Sequence, residues 1–337
     1  MTHTFRYITV LLATVTTCFA GRGQEGKSSF DFLNIPTSTH AYTLGGTNIS
    51  VIDEDINLVN QNPALMGPES DLQLGLNYMK YVGATFGKAA GERGAWAAGI
   101  QYYGYGKMKS ADETGVITGE FSPKDIVFNG IYAHDITTTL RGGVNAKVIY
   151  SSYEQYTSWA LAVDLGLNYY NADNDLSLSL VARNLGGQIK RYNDTFERMP
   201  FDLQIGYTQS LEHAPIRVSV TARNLTRWKL PYPAIESSSY TGGDEIVEKS
   251  GFVDNLFRHL IFGVEFLPTD RIYIGVGYNY KTRTDMRTAH RNFLSGFSIG
   301  GGIKVRMFGI GVALAQQHTG ATTLMVNLST NLFEFKK

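Results

Sequence analysis

From Asp71 onward the chain alternates apolar and polar positions with a period of two. Leu72, Leu74, Leu76 and Tyr78 interleave with Gln73, Gly75 and Asn77, and Leu161, Val163, Leu165, Leu167 and Tyr169 with Ala162, Asp164, Gly166 and Asn168. Ile216, Val218, Val220 and Ala222 alternate with Arg217, Ser219, Thr221 and Arg223, and the run from Ile272 to Tyr280 repeats the pattern. This period places every second side chain on one face of a strand. It predicts fourteen strands, near 70–78, 80–90, 94–104, 125–134, 139–150, 157–169, 175–184, 201–210, 215–224, 258–267, 271–280, 294–306, 308–316 and 322–333.

Alternation does not say whether the apolar face turns into a core or out to lipid. Strand length favours lipid: the runs are commonly nine to thirteen residues, against about 5–6 in soluble proteins and about 9–11 in tilted membrane strands. Tyr102, Tyr103 and Tyr105, Tyr150, Tyr153, Tyr156 and Trp159, Tyr169 and Tyr170, and Tyr278 and Tyr280 gather at strand ends, as aromatic girdles do. The opposite face carries glycines and charges, among them Asp164, Arg183, Asp202, Arg217 and Arg223, which suits a polar lumen. The connections near 91–94, 171–174, 212–214 and 268–270 are short. Those near 105–124, 185–200, 225–257 and 281–293 are long and all follow odd-numbered strands, hence lie on one side. The expected fold is all-β: a 14-stranded antiparallel transmembrane β-barrel over 70–337, ending in Phe333 and Phe335, with an aperiodic Asn/Gly/Pro-rich hatch over 21–69.

Residues 1–20 read as a secretory signal, with Arg6 before an apolar run from Ile8 to Ala20 too short to span a bilayer and cleavage expected after Ala20. A lipoprotein signal lipidated at Cys18 is the rival, and Thr17 and Phe19 fit it poorly. Cys18 is the only cysteine, so the mature chain is expected to have no disulfide, thiolate metal site or cysteine nucleophile. The 30 basic and 30 acidic residues balance, and nothing points to nucleic acid.

Candidate chemistry is sparse. Gly296-Phe297-Ser298-Ile299-Gly300 matches a nucleophile-elbow pattern, but it lies in an alternating strand with no helix after it, so Ser298 is read as an ordinary strand residue whose change to Ala is harmless. His40, His134, His213, His259, His290 and His318 lack metal-ligand spacing and are read as loop or strand-end residues; Ser295 near His290 is a weak hydrolase pair. Asp53-Glu54-Asp55 is expected to be solvated or paired with lumen arginines, calcium being the lesser alternative. No catalytic residue, metal or cofactor is expected. Two loops are candidate partner surfaces: 225–257, with Trp228, Tyr232 and Tyr240, and the basic 281–293, with Arg283, Arg287 and Arg291, suited to lipopolysaccharide phosphates or an acidic partner.

The hatch carries a resemblance. Phe30-Asp31-Phe32-Leu33-Asn34-Ile35-Pro36-Thr37-Ser38, then Gly45-Gly46, then Asn60-Gln61-Asn62-Pro63-Ala64, is similar to the PorQ family of type IX secretion outer-membrane components, within the long-chain fatty-acid transporter superfamily that also holds PorV. The repeated Ala182-Arg183-Asn184-Leu185 and Ala222-Arg223-Asn224-Leu225 also look like that superfamily. The resemblance spans the mature chain. It implies residence in the bacterial outer membrane and membership of an attachment complex with PorU, PorV and PorZ, which processes cargo and joins it to lipopolysaccharide; the implied part is to anchor PorZ. The alternative is a transporter of hydrophobic molecules such as fatty acids, gated by the hatch. The charged lumen positions weigh against a greasy channel.

Overall fold

The computed structural model describes residues 29–112, 114–193, 196–230, 251–286, 294–318 and 321–332. The strands are β1 (Gln73–Tyr78), β2 (Tyr81–Ala89), β3 (Gly94–Gly104), β4 (Met108–Ala111), β5 (Ile117–Phe121), β6 (Lys124–Asp135), β7 (Leu140–Tyr153), β8 (Tyr156–Asn171), β9 (Leu176–Lys190), β10 (Asp202–Ser210), β11 (Ile216–Ala222), β12 (Leu260–Thr269), β13 (Ile272–Asn279), β14 (Phe297–Val305), β15 (Phe308–His318) and β16 (Ala321–Asn331). The helices are α1 (Thr39–Thr43), α2 (Phe252–Arg258) and α3 (Tyr280–Asp285). Fourteen strands close an antiparallel barrel, and β4 and β5 form a separate hairpin. β3 meets β6 across that hairpin, and β1 closes on β16 from Gln73↔Asn331 to Tyr78↔Val326. Closure removes every free edge of the barrel sheet, which a strand structure in lipid requires.

The barrel is the expected fold with shifted ends. β1 begins at Gln73 rather than 70, because Pro68–Ser70 makes a 3-10 turn and Leu72 takes a positive φ of 54°. β7 and β9 run on to Tyr153 and Lys190, beyond the expected 150 and 184. The hairpin β4–β5 stands where only a loop is expected; both its faces are solvated, so no alternation marks it.

Inside and outside are inverted relative to a soluble protein. Leu161, Leu165 and Leu167 of β8 and Ile274 and Val276 of β13 stay exposed, while Asn168, Asp164, Gly275 and Gly277 beside them are buried. A continuous apolar belt of this kind is costly in water and is the face a barrel gives to lipid. The outer face also carries the aromatics: Tyr150 packs on Trp159 at 4.9 Å between centroids. Tyr103 and Tyr153 do not belong to that girdle. Tyr103 is buried in the lumen against Tyr81 and Phe32, and the Tyr153 hydroxyl donates to buried Asp125.

The segment before β1 lies inside the barrel. From Pro36 to Val51 every residue except Gly45 is buried, as is the stretch from Ile56 to Gly67. All long connections leave one rim, and the links at 90–93, 136–139, 172–175, 211–215, 270–271 and 306–307 close the other. The hatch reaches both rims. Ser29 N–H bonds Glu197 at 2.8 Å in the long link after β9, and Glu54 pairs with Lys304 beside the short link after β14.

Candidate functional site

The lumen wall is cut to fit the hatch. Gly45 and Gly46 have φ of 96° and 95°, a region that glycine enters without steric cost, and they end α1 with Gly46 N–H on Ala41 O at 3.0 Å. This turn lies directly on β13: a Cβ at Gly277 would overlap the backbone of Leu44 and Gly45. Asn62 caps the next turn, accepting from Ala64 N–H at 2.9 Å and donating to Ile49 O and Ser179 Oγ at 2.8 and 3.1 Å. Pro63 and Ala64 then sit on Gly143, and Asn62 on Gly166, where added Cβ atoms would collide with them. Of the five motif residues, Gly45, Asn62, Pro63 and Ala64 thus lie directly against wall glycines, and Gly46 shares the turn with Gly45.

Ser298 belongs to the same interface. Its hydroxyl donates to Thr43 O at 2.7 Å and accepts from Gly45 N–H at 2.9 Å. It is therefore more than an ordinary strand serine: it clasps the hatch turn, with both its bonds made to hatch backbone.

Charge holds the hatch as well. His40, fully buried in α1, has Nε2 against the buried Glu265 carboxylate and Nδ1 2.6 Å from Asp53, and its ring stacks on Tyr273 at 4.0 Å. Burial disfavours the charged imidazole, but Glu265 and then Asp53 outweigh it and push the pKa up to about 9. Arg217 completes the group with Nε 2.8 Å from Glu265 and a bond to Ile52 O at 3.3 Å. Reading His40 as a loop residue is corrected here; its helix was hidden in an aperiodic segment, and its partner lies on β12. His259 is likewise buried, its two ring nitrogens facing Arg223 O and Trp228 O at 2.8 and 3.0 Å. The acidic cluster is divided: Asp53 pairs with His40, Glu54 with Lys304, and Asp55 takes the Ser38 hydroxyl at 2.7 Å and Asn57 N–H at 3.1 Å. Burial raises the Asp55 pKa despite those bonds. Among the described residues no group of three His, Cys, Asp or Glu is placed to hold a metal.

The repeated Ala-Arg-Asn-Leu tetrapeptides do one job twice. Asn184 and Asn224 take φ of 57° and 58°, and their N–H groups bond Asp164 and Asp202 on the neighbouring strand at 2.7 and 2.6 Å. The preceding arginines turn inward: Arg183 reaches Gln61 Oε1 and Leu33 O in the hatch at 3.3 and 3.4 Å, and Arg223 lies 3.6 Å from Asp202. Lys147, buried between Asp164 at 2.6 Å and Asn184 at 2.9 Å, ties the first tetrapeptide to β7.

Of the loop candidates, Tyr232, Tyr240, Arg287 and Arg291 lie outside the described residues, as do His290, the signal segment, and Phe333 and Phe335. Trp228 is half-exposed and stacks on His259 and Phe252 at 5.5 and 5.1 Å. Arg283 is not a free cation: it donates to Ser295 O at 3.3 Å. The two loops are joined by a residue that sequence reading missed. Buried Arg258 of α2 bonds Leu230 O at 2.6 Å, and Thr284 Oγ1 and Asp285 of α3 at 3.2 and 2.7 Å. Its only sequence signal is a basic residue at a helix C-terminus.

No protein-family model matches the chain, and no curated protein sequence matches it. Solved structures of like fold exist. The Pseudomonas putida toluene transporter TodX superimposes with a TM-score of 0.55 at 13% identity, over 89% of this chain and 99% of its own. The CymD monoaromatic hydrocarbon channel does so with 0.50 at 13%, over 88% and 96%, and a Pseudomonas aeruginosa FadL homologue with 0.50 at 11%, over 88% and 98%. The chain therefore shares the barrel fold of these structures, of which TodX is a transporter and CymD a channel.

Proposed function

We propose that this chain is a bacterial outer-membrane barrel, closed by its hatch, that anchors a surface protein through its long-rim loops. The partner would be the PorZ-like member of a type IX attachment complex, beside PorU- and PorV-like proteins and lipopolysaccharide, as the hatch motif's resemblance implies. The observation that carries this reading is the His40–Glu265–Arg217 cluster. A buried, mutually paired charge cluster between plug and wall is strongly destabilised when one partner leaves, so the hatch is built to stay. The long rim meanwhile holds two loops cross-tied by Arg258, with Trp228 facing out. Exposed aromatics on an organised loop suit an interface.

A second reading has its own support, and the comparisons lean towards it rather than towards anchoring. The proteins of like fold are transporters of hydrocarbons, so this barrel would pass a hydrophobic molecule when the hatch moves. One experiment separates the two. Trp228→Ala should release a surface protein from solubilised outer membranes and leave hydrocarbon or fatty-acid uptake unchanged. Unchanged surface proteins with uptake lost on deleting the chain would replace the anchor by the transporter.

A further inference from the structure

The helix α2 presents an unusual face. Its inward residues Asn255 and Arg258 are buried in the loop, while Phe252, Val253, Leu256 and Phe257 are exposed. It also lies over the outer wall rather than over the lumen. Phe257 packs on Phe262 at 6.2 Å and on Tyr280 at 6.0 Å, and Phe262 shares the outward row of β12 with Val264 and Phe266. Between helix and wall runs an open groove of about 740 Å³, lined by Gly251, Phe252, Val253, Phe257, Tyr278 and Tyr280, with Asp254 at its edge. Its acidic group is already satisfied, since Asp254 takes the Tyr280 hydroxyl at 2.7 Å.

We infer that this groove seats an acyl chain of a bilayer lipid from the outer leaflet, at the long-loop rim of β12 and β13. Continuity decides the occupant. Tyr278 stands in the same outward row as Ile274 and Val276, the rows that face lipid along the rest of β13, so the groove opens from the belt itself and is entered from the bilayer. A short helix with aromatic residues on one side and polar residues on the other is the kind that lies in a membrane interface. The volume falls within the range of about 300–1,000 Å³ typical of small-molecule sites. The inference rests on the groove between the loop helix and the barrel wall and holds whether the protein anchors or transports.

The test uses the full-length mature protein in nanodiscs doped with a phospholipid that carries a diazirine in one acyl chain. After photolysis, adducts are mapped by peptide mass spectrometry. The expected result is adduct enrichment on the 251–258 and 278–280 peptides over the lipid-facing Leu161–Leu167 peptide. The decisive variant is Gly251→Trp. Gly251 lines the groove with an ordinary φ of −66°, and a Cβ there meets nothing within 4 Å, so a large side chain is accommodated at the groove without displacing the fold. It should lose the enrichment while the barrel keeps its heat-modifiable migration; should that migration be lost, Gly251→Leu is read in its place. Equal labelling of groove and belt peptides, or full enrichment in the groove-filled variant, would overturn the inference. Labelling by a free diazirine fatty acid but not by the bilayer lipid would also overturn it, in favour of a soluble-ligand site.

Discussion

At the scale of single residues, glycine carries the hatch. Lumen-facing and lipid-facing glycines look alike in the chain, yet they answer to different constraints. Gly143 faces the backbone of Pro63 and Ala64, whereas Gly130 points out into open space. Gly143→Val should therefore lower the midpoint of the heat-induced migration shift, with the cost of about 1–3 kcal/mol or more that overpacking brings. Gly130→Ala should leave it unchanged. Equal effects would mean that hatch and wall do not meet there. Alternation made the inward direction of Gly143 readable; what it touches was not, because the partner comes from an aperiodic segment. The same limit hid the bond from Ser298 to Thr43. Ser298→Ala should lower the same midpoint, at a stability cost of about 1–3 kcal/mol, the usual cost of stranding buried partners, and an unchanged midpoint would restore the inert reading.

His40 makes a prediction about pH. Its folded pKa is raised to about 9 from an ordinary value of about 6.5. A group raised in this way contributes stability that is fully present below about pH 6.5 and is lost as the pH climbs through about 9. Proteolytic release of the hatch in detergent should thus be slow at neutral pH and increase above pH 9. His40→Gln should show fast release at neutral pH and no step near 9. A step retained in that variant would assign the titration elsewhere.

At the scale of elements, the barrel strands were legible because one face meets lipid along their whole length, so every strand repeats the same two-way sorting. The elements that were not legible lack that asymmetry. β4 and β5 are wet on both faces, and α2 is too short for a period of 3.6 to declare itself. The tie between the two long loops was invisible for a different reason: Arg258 joins residues that only the barrel's register brings together. Arg258→Ala removes those bonds and leaves Asp285, among the described residues, paired with Lys281. Such a change should expose the 226–230 and 280–286 segments to protease while the barrel's heat-modifiable migration persists, since both lie beyond the backbone bonds that Arg223 and Leu225 make to His259 and Leu203. Loss of the barrel itself would mean that the loops are part of its folding unit.

At the scale of the whole molecule, the hatch gives the barrel a direction that a simple cork would lack. Its described start, Ser29, lies at the rim of the long links, and Phe30 stacks on Tyr192 there at 6.2 Å. Glu54 lies at the opposite rim on Lys304, and Glu69 joins the same rim through Arg141, which also holds Asp135. The chain thus passes from one mouth to the other before entering β1. Long links belong to the cell exterior in barrels of this kind, so Ser29 should be reachable from outside and Glu54 from the periplasm. Because Cys18 is the only cysteine and lies in the predicted signal, single substitutions give clean probes. A membrane-impermeant maleimide should label Ser29→Cys on intact cells, and label Glu54→Cys only after the outer membrane is opened. Losing the exposed Glu54–Lys304 pair should cost little, at most about 1 kcal/mol, so the second variant should still assemble. Reversed labelling would invert the barrel in the membrane and place the Arg258-tied loops in the periplasm, where they could hold no surface protein. Labelling of both on intact cells would instead mean an open lumen, and would favour passage over anchorage.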